Sequence, residues 1–254
     1  MILVLAGTQD GREIACQLGL QGYDVTVSVA SEYGAALVQQ AENVKVIQGK
    51  LQLADMKKFI MTMGISVVVD ATHPFAKNVS ENAIQACRET SIHYLRYERD
   101  SANVEGYSNV VLVDSYHEAV EKVNEMDGMV FLTTGSNSLD IFINGINDRT
   151  RIAARVLPGV QVMNKCIGLG LQPSQIIAMQ GPFSRELNRE MFKHYNTAVV
   201  VTKESGNIGG IEDKILAARD IGIPIIVITR PGIDYPLVVG TFEQVLERIE
   251  QWEK

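Results

Sequence analysis

Short apolar runs alternate with helix-like patterns along the whole chain. In the first 70 residues, four runs rich in β-branched residues are apolar on both faces, which is typical of buried parallel strands. These runs are Ile2–Leu5, Val25–Val29, 44–47 and 67–69. Between them, helical periodicity predicts helices over 13–20, 33–40 and 56–63, the last ended by Gly64. This order predicts a continuous β-α-β-α-β-α-β unit.

A polar stretch with little periodicity, 97–108, interrupts the alternation, and we place a domain boundary there. Further strands are predicted at Val110–Val113, 129–133, Ile152–Val156, 176–179, 198–201 and Ile225–Ile228. Two later helices begin with capping-box spacing, one at Ser115 with Glu118 and the other at Thr241 with Gln244. Strands and helices therefore continue to alternate towards the end of the chain.

This alternation predicts an α/β protein of two Rossmann-like αβα domains, with mainly parallel sheets and a cleft between the domains. We expect residues 1–100 to form a dinucleotide-binding domain and residues 101–254 to form a substrate-binding domain. Residues 236–240 have the pattern of a late strand. The pattern does not say which of the two sheets this strand joins.

Composition narrows the function classes. The 254 residues carry a formal net charge of −7, which argues against a general binder of nucleic acid or of membrane surfaces. The three cysteines are far apart in apolar contexts and predict neither disulfides nor a metal site. The first apolar run ends at Gly7, too early for a signal peptide or a membrane span. We therefore expect a cytoplasmic protein.

The first strand runs into a glycine turn, GTQDGR, that opens a helix. In an open parallel sheet, such a turn offers the N–H groups of a helix N-terminus to a diphosphate. Gly7 permits close approach of the backbone, and Gly11 relieves the packing of helix against strand. Where a third glycine is missing, Thr8 and Arg12 are candidate phosphate ligands. An ordinary tight turn is the alternative.

The end of the second strand indicates which dinucleotide fits. A site for NAD usually places Asp or Glu there, to bind the ribose 2′-hydroxyl. Here Ser28 and Ser31 are small neutral donors that tolerate a 2′-phosphate, although Glu32 lies just beyond them. We therefore expect NADPH as the cofactor, with NADH as the alternative.

After the fourth strand the chain reads DATHPFAKNVSENA, which puts Thr72 and His73 at the carboxyl end of a buried strand. Pro74 favours an extended backbone at His73. We expect both side chains to face the cofactor, and His73 is a candidate proton donor. The alternative is a hydrogen-bonded structural histidine, because one histidine without a partner is not a catalytic constellation.

Six segments occur in order from residue 2 to about residue 231: GTQDGR, SVASEYG, DATHPFAKNVSENA, YLRYER, QGPFSRELN and TKESGNIGGIEDK. Together they resemble the precorrin-6A reductase family, which includes the cobalt-precorrin-6A reductases. The resemblance implies that hydride from a nicotinamide reduces one double bond of a tetrapyrrole, precorrin-6A or cobalt-precorrin-6A, in cobalamin biosynthesis. One departure is Ala6 before Gly7, where the family is expected to have two glycines, and alanine is small enough to keep the loop.

The implied tetrapyrrole is edged with carboxylates, so we expect several cations and backbone groups at its site. The candidate cations at element ends are Lys77, Arg96, Arg99, Arg155, Arg185, Lys203 and Arg230. Of these we favour Lys77, Arg99, Arg185 and Lys203 for substrate binding, together with Ser205 and Gly206. Lys203 and Glu204 join His73 as candidate proton donors, with water as a competitor. For each basic residue taken alone, a solvated surface charge is the alternative. Two glycine-rich turns, 133–137 and 205–210, are either ligand-binding turns or ordinary ones.

Two other functions are considered beside the reductase. One is a nucleotide-sugar glycosyltransferase built from two Rossmann-like domains, and the other is a non-catalytic module that senses NAD(P). Neither accounts for all six segments. The sequence leaves open whether the substrate contains cobalt and whether the protein is a monomer or a small homo-oligomer.

Overall fold

The computed structural model describes residues 1–30, 32–38, 43–49, 51–99, 107–206 and 210–252. The chain forms two compact units, Met1–Asp100 together with Gly232–Lys254, and Ser101–Pro231. Within the described residues, each unit contains one sheet of six strands. All strand pairs recorded in this part of the chain are parallel. The predicted α/β class with parallel sheets is confirmed.

The first unit alternates strands and helices from the start of the chain. Its strands are β1 (Ile2–Leu5), β2 (Val25–Val29), β3 (Val44–Gln48), β4 (Val67–Asp70) and β5 (His93–Tyr97). Its helices are α1 (Gln9–Leu20), α2 (Glu32–Ala36), α3 (Leu53–Met63) and α4 (Lys77–Thr90).

The second unit repeats this alternation. Its strands are β6 (Val110–Val113), β7 (Met129–Leu132), β8 (Ile152–Val156), β9 (Ile176–Ala178), β10 (Thr197–Lys203) and β11 (Ile225–Ile228). Its helices are α5 (Tyr116–Asn124), α6 (Leu139–Gly145), α7 (Val160–Gly168), α8 (Arg185–His194) and α9 (Ile211–Asp220), with short 3-10 turns at Arg149–Arg151 and Pro173–Gln175. The chain then adds β12 (Val238–Val239) and α10 (Phe242–Trp252) to the first unit.

The two sheets have related strand orders. The first is β3-β2-β1-β4-β5-β12, and the second is β9-β8-β7-β10-β11-β6. Five strands of each sheet therefore follow the order 3-2-1-4-5 of Rossmann-like sheets. The two units exchange their sixth strands. Strand β6 follows β5 in the chain but pairs with β11 of the second sheet. Strand β12 follows β11 in the chain but pairs with β5 of the first sheet.

Residues 232–254 belong to the first unit, in contrast to the domain of residues 101–254 that the order of elements predicts. The N–H of Arg96 donates to Leu237 O, and the N–H of Glu98 donates to Val239 O, both at 2.9 Å. Val245 and Ile249 of α10 are fully buried in the core of the first unit. Backbone pairing and burial of this face, rather than chain order, determine where the segment packs.

Strands β1, β2 and β4 are buried because helices cover both faces of the sheet. The buried strand predicted at 44–47 is wrong in this respect, because β3 lies at the edge of the sheet and exposes Lys45 and Val46. Ile2 and Val4 of β1 pack in one cluster with residues of α1 and α10. Leu3 and Leu5 pack on the opposite face with residues of α3 and α4. Each fully buried aliphatic side chain contributes about 1.5–3 kcal/mol. This burial holds β1 at the centre of the sheet, where its carboxyl end leads into α1.

Helix α1 begins at Gln9, before the predicted helix 13–20, because Thr8 caps it. The Oγ1 atom of Thr8 accepts the N–H of Gly11 at 3.1 Å, as expected of an N-cap residue. The predicted helix 33–40 is shorter in the structure, where α2 ends at Ala36 and residues 39–42 lie outside the described part of the chain.

Both helix starts predicted from capping-box spacing are confirmed. The Oγ atom of Ser115 accepts the N–H of Glu118 at 3.1 Å at the start of α5. At the start of α10, Thr241 Oγ1 accepts the N–H of Gln244 at 3.3 Å. These bonds satisfy backbone donors that the helices themselves leave without a partner.

Candidate active site

The turn between β1 and α1 is tied to the end of β4. Thr8 Oγ1 donates to the carbonyl oxygen of Ala71 at 3.0 Å while it accepts the N–H of Gly11. The hydroxyl proton of Thr8 is therefore directed to Ala71 rather than to a ligand, so Thr8 can reach a phosphate only through its backbone N–H. Gly11 shows the close packing predicted for it, because a Cβ there would lie 2.9 Å from Ala6 Cα.

The structure brings Gly7, Thr72 and His73 together at the carboxyl ends of the neighbouring strands β1 and β4. A Cβ on Gly7 would lie 3.3 Å from His73 N and 3.4 Å from Thr72 Cα. Strand order reverses between β1 and β4, and open α/β sheets bind their ligands at such a switch point. The two segments, far apart in sequence, thus form one candidate site.

His73 is half-buried in this loop, and its ring is oriented by a local hydrogen bond. Nδ1 accepts the N–H of Phe75 at 3.2 Å, and the two rings lie 5.8 Å apart. When His73 is neutral, this bond leaves the proton on Nε2. The ring can therefore donate through Nε2.

A buried ion pair supports the loop and occupies Arg96, so the substrate contact predicted for Arg96 is wrong. Arg96 Nη1 donates to Asp70 Oδ1 at 3.0 Å, and the two side chains are 1% and 0% exposed. Thr72 Oγ1 donates to the same carboxylate oxygen at 2.7 Å, and Tyr94 OH donates to Oδ2 at 2.7 Å. Burial, with the Asp70 charge beside it, raises the pKa of Tyr94, so its hydroxyl stays a donor. Asp70 therefore fixes Thr72 next to the switch point.

The other predicted residues of the first unit lie on neighbouring elements. Arg12 is half-buried on α1, and Ser28 is half-buried near the end of β2. Ser31 lies outside the described residues. Lys77 is exposed at the start of α4, where its Nζ lies 3.7 Å from the carboxylate of Glu81. Their predicted contacts with cofactor or substrate stay predictions.

Arg99 lies just after β5, and its exposed side chain contacts two residues of the first unit. Its Nε donates to Tyr97 OH at 3.2 Å, and its Nη2 forms an ion pair with Asp10 Oδ1. Asp10 belongs to the first turn of α1. Arg99 is therefore placed beside the start of this helix, and its predicted contact with a substrate carboxylate stays a prediction.

The second unit has its own switch point, between β7 and β10. The two glycine-rich turns follow these strands, 133–137 after β7 and 205–210 after β10, although 207–209 lie outside the described residues. Thr133 Oγ1 donates to the carbonyl oxygen of Val201 at 3.0 Å, which joins the first turn to β10. Lys203 ends β10 at this point. The structure thus brings the two turns and Lys203 to neighbouring strand ends.

Glu204 is nearly buried and pairs with Arg230. Arg230 Nη2 donates to Glu204 Oε1 at 3.0 Å, and Arg230 Nε pairs with Oε2. Gly206 has a φ of +74°, and a Cβ there would lie 3.4 Å from Arg230 Nη2. The guanidinium therefore engages both carboxylate oxygens of Glu204 and braces the turn that contains Ser205.

Three basic side chains lie close together in the second unit and are largely removed from solvent. Burial lowers the pKa of Lys203 to about 8 and the pKa of Arg155 to about 10. Burial, followed by the charges of Arg155 and Lys203, lowers the pKa of Lys214 to about 7. Arg155 is fixed by Asn188 Oδ1 at 2.8 Å and by the ring of Phe183, whose centroid lies 3.8 Å away. An entering anion would interact favourably with all three cations.

Arg185 begins α8 on the surface of the second unit. Its Nε donates to Asp220 Oδ2 at 2.7 Å, and its Nη2 pairs with Oδ1. The predicted contact of Arg185 with substrate stays a prediction. Among the residues that the structure describes, no group of three or more His, Cys, Asp and Glu could hold a metal ion. Across the same ranges, every helix is too short or too polar to cross a membrane.

Comparison with known proteins decides the family. A model of the family described as precorrin-6x reductase CbiJ/CobK matches residues 1–250. The cobalt-precorrin-6A reductase of Priestia megaterium is 45% identical over 251 residues, which cover 98% of each chain. The cobalt-precorrin-6A reductase of Methanothermobacter thermautotrophicus is 35% identical over 254 residues, which cover 98% of this chain and 83% of the relative. The chain belongs to the precorrin-6x reductase family.

A solved structure supports the same assignment for this member of the precorrin-6x reductase family. The structure described as CobK precorrin-6A reductase superposes with a TM-score of 0.82, at 26% identity, and covers 99% of this chain and 96% of that chain. The resemblance predicted from the six segments is confirmed. Ala6, the departure noted there, is 3% exposed, and its methyl group fits beside Gly11.

The sequence patterns do not predict Lys214 and Asp10 as site residues. Lys214 does carry a local signal, because it shares a helix face with Ile211 and Ala218 at spacings of three and four. A lysine on the apolar face of a helix is unusual and marks a candidate site. Asp10 has no comparable signal, since an acidic residue in the first turn of a helix is ordinary and its partner Arg99 is distant in sequence.

Proposed function

We propose that this chain is an NADPH-dependent reductase that converts precorrin-6A, or cobalt-precorrin-6A, to the 6B form in cobalamin biosynthesis, in the cytoplasm. Family membership supports the reductase class, and the names of the relatives supply the substrate. The observation that carries the proposal is a group of basic residues in the second unit, the buried Arg155 and Lys214 and the half-buried Lys203. Burial disfavours the charged forms of these side chains, and the carboxylates of a bound tetrapyrrole would stabilise those charged forms.

The first unit fits a dinucleotide. The first N–H groups of a helix have no partner within the helix and bind phosphate oxygens. Gly7 is exposed at the start of this turn, and Gly11 lies against Ala6 with no room for a Cβ. We assign the diphosphate to Gly7, Thr8, Gly11 and the first turn of α1, with the guanidinium of Arg12 as a further phosphate ligand.

Other residues of the first unit would set cofactor identity and orientation. Ser28 is neutral, and a carboxylate in its place would repel a 2′-phosphate, so we assign Ser28 to NADPH recognition together with Ser31. Thr72 and His73 lie at the end of β4, on the other side of β1 from β2. We assign them to the nicotinamide end of the cofactor.

A bound nicotinamide supplies a hydride, which together with one proton saturates one double bond of the macrocycle. Lys203 is the proton donor that we favour, because burial lowers its pKa to about 8 and so eases proton release. Glu204 is a weaker candidate, since Arg230 engages both of its oxygens. His73 is the candidate of the first unit through Nε2, and water is the remaining competitor.

The substrate carboxylates are assigned first to Arg155, Lys203 and Lys214, and the turn at Ser205 and Gly206 adds polar groups beside them. Lys77 and Arg185 are exposed and already paired with Glu81 and Asp220. An exposed ion pair contributes little, so either cation could exchange its partner for a substrate carboxylate at small cost.

The reaction is tested with NADPH deuterated at the transferred C4 position. The purified protein should place one deuterium on a carbon of the reduced tetrapyrrole and shorten its conjugation, which changes its absorption spectrum. Turnover is expected to survive treatment with a chelator. Loss of the deuterium to solvent would contradict direct hydride transfer, and loss of turnover with the chelator would contradict a metal-free reaction.

Ligand titrations separate the reductase from its two rivals. The reductase should bind NADPH more tightly than NADH and should not bind a UDP-sugar. Tighter binding of the UDP-sugar would support the glycosyltransferase. Binding of NADPH without any turnover of the tetrapyrrole would support the sensing module.

A further inference from the structure

The start of α1, where we assign the diphosphate, also contains a carboxylate. Asp10 is the second residue of this helix, and its side chain is 16% exposed. Burial raises the pKa of Asp10, whereas the charge of Arg99 opposes this shift and the charge of Glu13 adds to it. The charge of Arg99 therefore favours the ionised form of this carboxylate, which burial disfavours.

A carboxylate in the first turn of a helix interacts favourably with the partial positive charge of the helix N-terminus. The same position is unfavourable for an entering diphosphate, because two anions would share one site. An opposite charge on Asp10 removes this conflict. Arg99 supplies that charge through the ion pair between its Nη2 and Asp10 Oδ1.

Arg99 pairs with Asp10 in an otherwise acidic groove. A groove of about 300 Å³ lies beside the start of α1, and the acidic residues Asp10, Glu13 and Glu243 are among its lining residues. Of the described residues that line this groove, Arg99 is the basic one. Its Nε is held by Tyr97 OH at 3.2 Å, which orients the guanidinium towards Asp10.

We propose that Arg99 is a positioning residue for the dinucleotide, which neutralises Asp10 at the start of α1 and so permits the diphosphate to bind there. This inference rests on the proposed function, and it assigns Arg99 to cofactor binding rather than to the substrate carboxylates predicted from sequence. It makes the effect of Arg99 depend on the charge of Asp10.

The test is a double-mutant cycle in the full chain, with NADPH affinity measured by titration calorimetry. Arg99→Ala should weaken NADPH binding about tenfold, since one uncompensated carboxylate then lies in the same helix turn as the diphosphate. Asp10→Asn should bind NADPH at least as tightly as wild type. Adding Asp10→Asn to Arg99→Ala should restore the affinity to within about twofold, and Arg99→Lys should keep most of it because the charge remains.

Lys57→Ala is the matched control, because Lys57 pairs with Glu89 on α4, and α3 and α4 cover the opposite face of the sheet from α1. It removes one cation from an exposed ion pair of the same unit and should leave NADPH affinity unchanged. The KM for the tetrapyrrole at saturating NADPH should stay within about twofold in Arg99→Ala.

The outcomes separate this inference from the proposed function. If wild type does not bind NADPH, the proposed function fails and the inference fails with it. Two outcomes would overturn only the inference, provided that wild type binds NADPH. One is that Arg99→Ala leaves NADPH affinity unchanged, and the other is that Arg99→Ala lowers this affinity equally in wild type and in Asp10→Asn. A raised KM for the tetrapyrrole with unchanged NADPH affinity would return Arg99 to the substrate.

Discussion

Asp70 and Arg96 form an ion pair at the switch point of the first sheet, with 3.0 Å between Oδ1 and Nη1 and almost no exposure of either side chain. The guanidinium of Arg96 also lies 5.0 Å from the ring centroid of Tyr235, in the segment that returns from the second unit. Asp70 accepts the hydroxyl of Thr72. The pair therefore connects β4, β5 and the returning segment, and it holds the loop that contains His73.

Removing one partner of this pair should be strongly destabilising. Arg96→Met should lower the free energy of unfolding by roughly 3–5 kcal/mol, because it leaves the buried Asp70 carboxylate, and the Glu98 carboxylate 2.9 Å from Arg96 Nε, without their cation. The double variant Asp70→Asn with Arg96→Met should lose less. Trp252, the one tryptophan of the sequence, stacks on His93 at 4.3 Å in the first unit, so its fluorescence in urea reports this unit. Equal losses in the single and double variants would contradict a buried charge as the cause.

Gly11→Ala should impair both stability and cofactor binding. The added Cβ would lie 2.9 Å from Ala6 Cα and 3.1 Å from Ala71 O, and neither backbone can move without disturbing β1 or β4. We expect a loss of roughly 1–3 kcal/mol in urea unfolding and weaker NADPH binding. Gly168→Ala is the control, because a Cβ there meets open space at the end of α7. An unimpaired Gly11→Ala variant would contradict the close packing of α1 on the sheet.

Ser28→Asp should distinguish the two dinucleotides. A carboxylate at the end of β2 would repel the 2′-phosphate, so the Kd for NADPH should rise about tenfold or more while the Kd for NADH changes little. Titration with both cofactors measures the difference. Similar weakening of NADPH and NADH would mean that the substitution disturbs the strand and does not act through the 2′-phosphate.

The substrate contacts of Lys203 and Arg185 are tested by steady-state kinetics. Lys203→Ala should raise the KM for the tetrapyrrole about tenfold or more, the effect of a lost charge-assisted contact of roughly 1.5–3 kcal/mol, and should also lower kcat because Lys203 is the favoured proton donor. Arg185→Ala should do the same if Arg185 leaves Asp220 for the substrate. Asp220→Ala removes the same ion pair without removing the cation, so it should not raise the KM. Equal effects of Arg185→Ala and Asp220→Ala would place Arg185 outside the substrate site.

Lys214 should make stability depend on pH in the alkaline range. Its pKa in the folded protein is about 7, below the ordinary value of 10.5, so between these values the unfolded state binds more protons. The contribution to stability is complete above pH 10.5 and is lost as pH falls towards 7. Lys214→Met should therefore raise the free energy of unfolding at pH 7 by roughly 1–3 kcal/mol and flatten its rise between pH 7 and 10. Urea unfolding followed by circular dichroism measures both, and an unchanged pH profile would contradict the burial of this ammonium.

Much of the fold follows from local sequence patterns. Runs such as Ile2–Leu5 and Ile225–Ile228 are strands as predicted. A strand that is apolar on both faces is removed from water when helices cover both faces of its sheet. Ser115 and Thr241 cap helices as predicted, because a cap acts over three residues of chain. The glycine turn after the first strand, with Gly7 and Gly11, is also a pattern within a few residues, so the sequence predicts it.

The tertiary structure decided what depends on partners distant in sequence. Nothing local distinguishes a strand at 236–240 that pairs with β11 from one that pairs with β5, because both offer the same backbone groups and the burial of α10 makes the difference. Arg99 appears from sequence as one more basic residue, and only the fold places it against Asp10. Lys214 has an ordinary pKa in an isolated helix, and burial in the folded protein, together with the charges of Arg155 and Lys203, lowers that pKa. Sequence thus determined the elements and the family of this protein, whereas the charges and pairings of its site arise from desolvation and from contacts that exist only after folding.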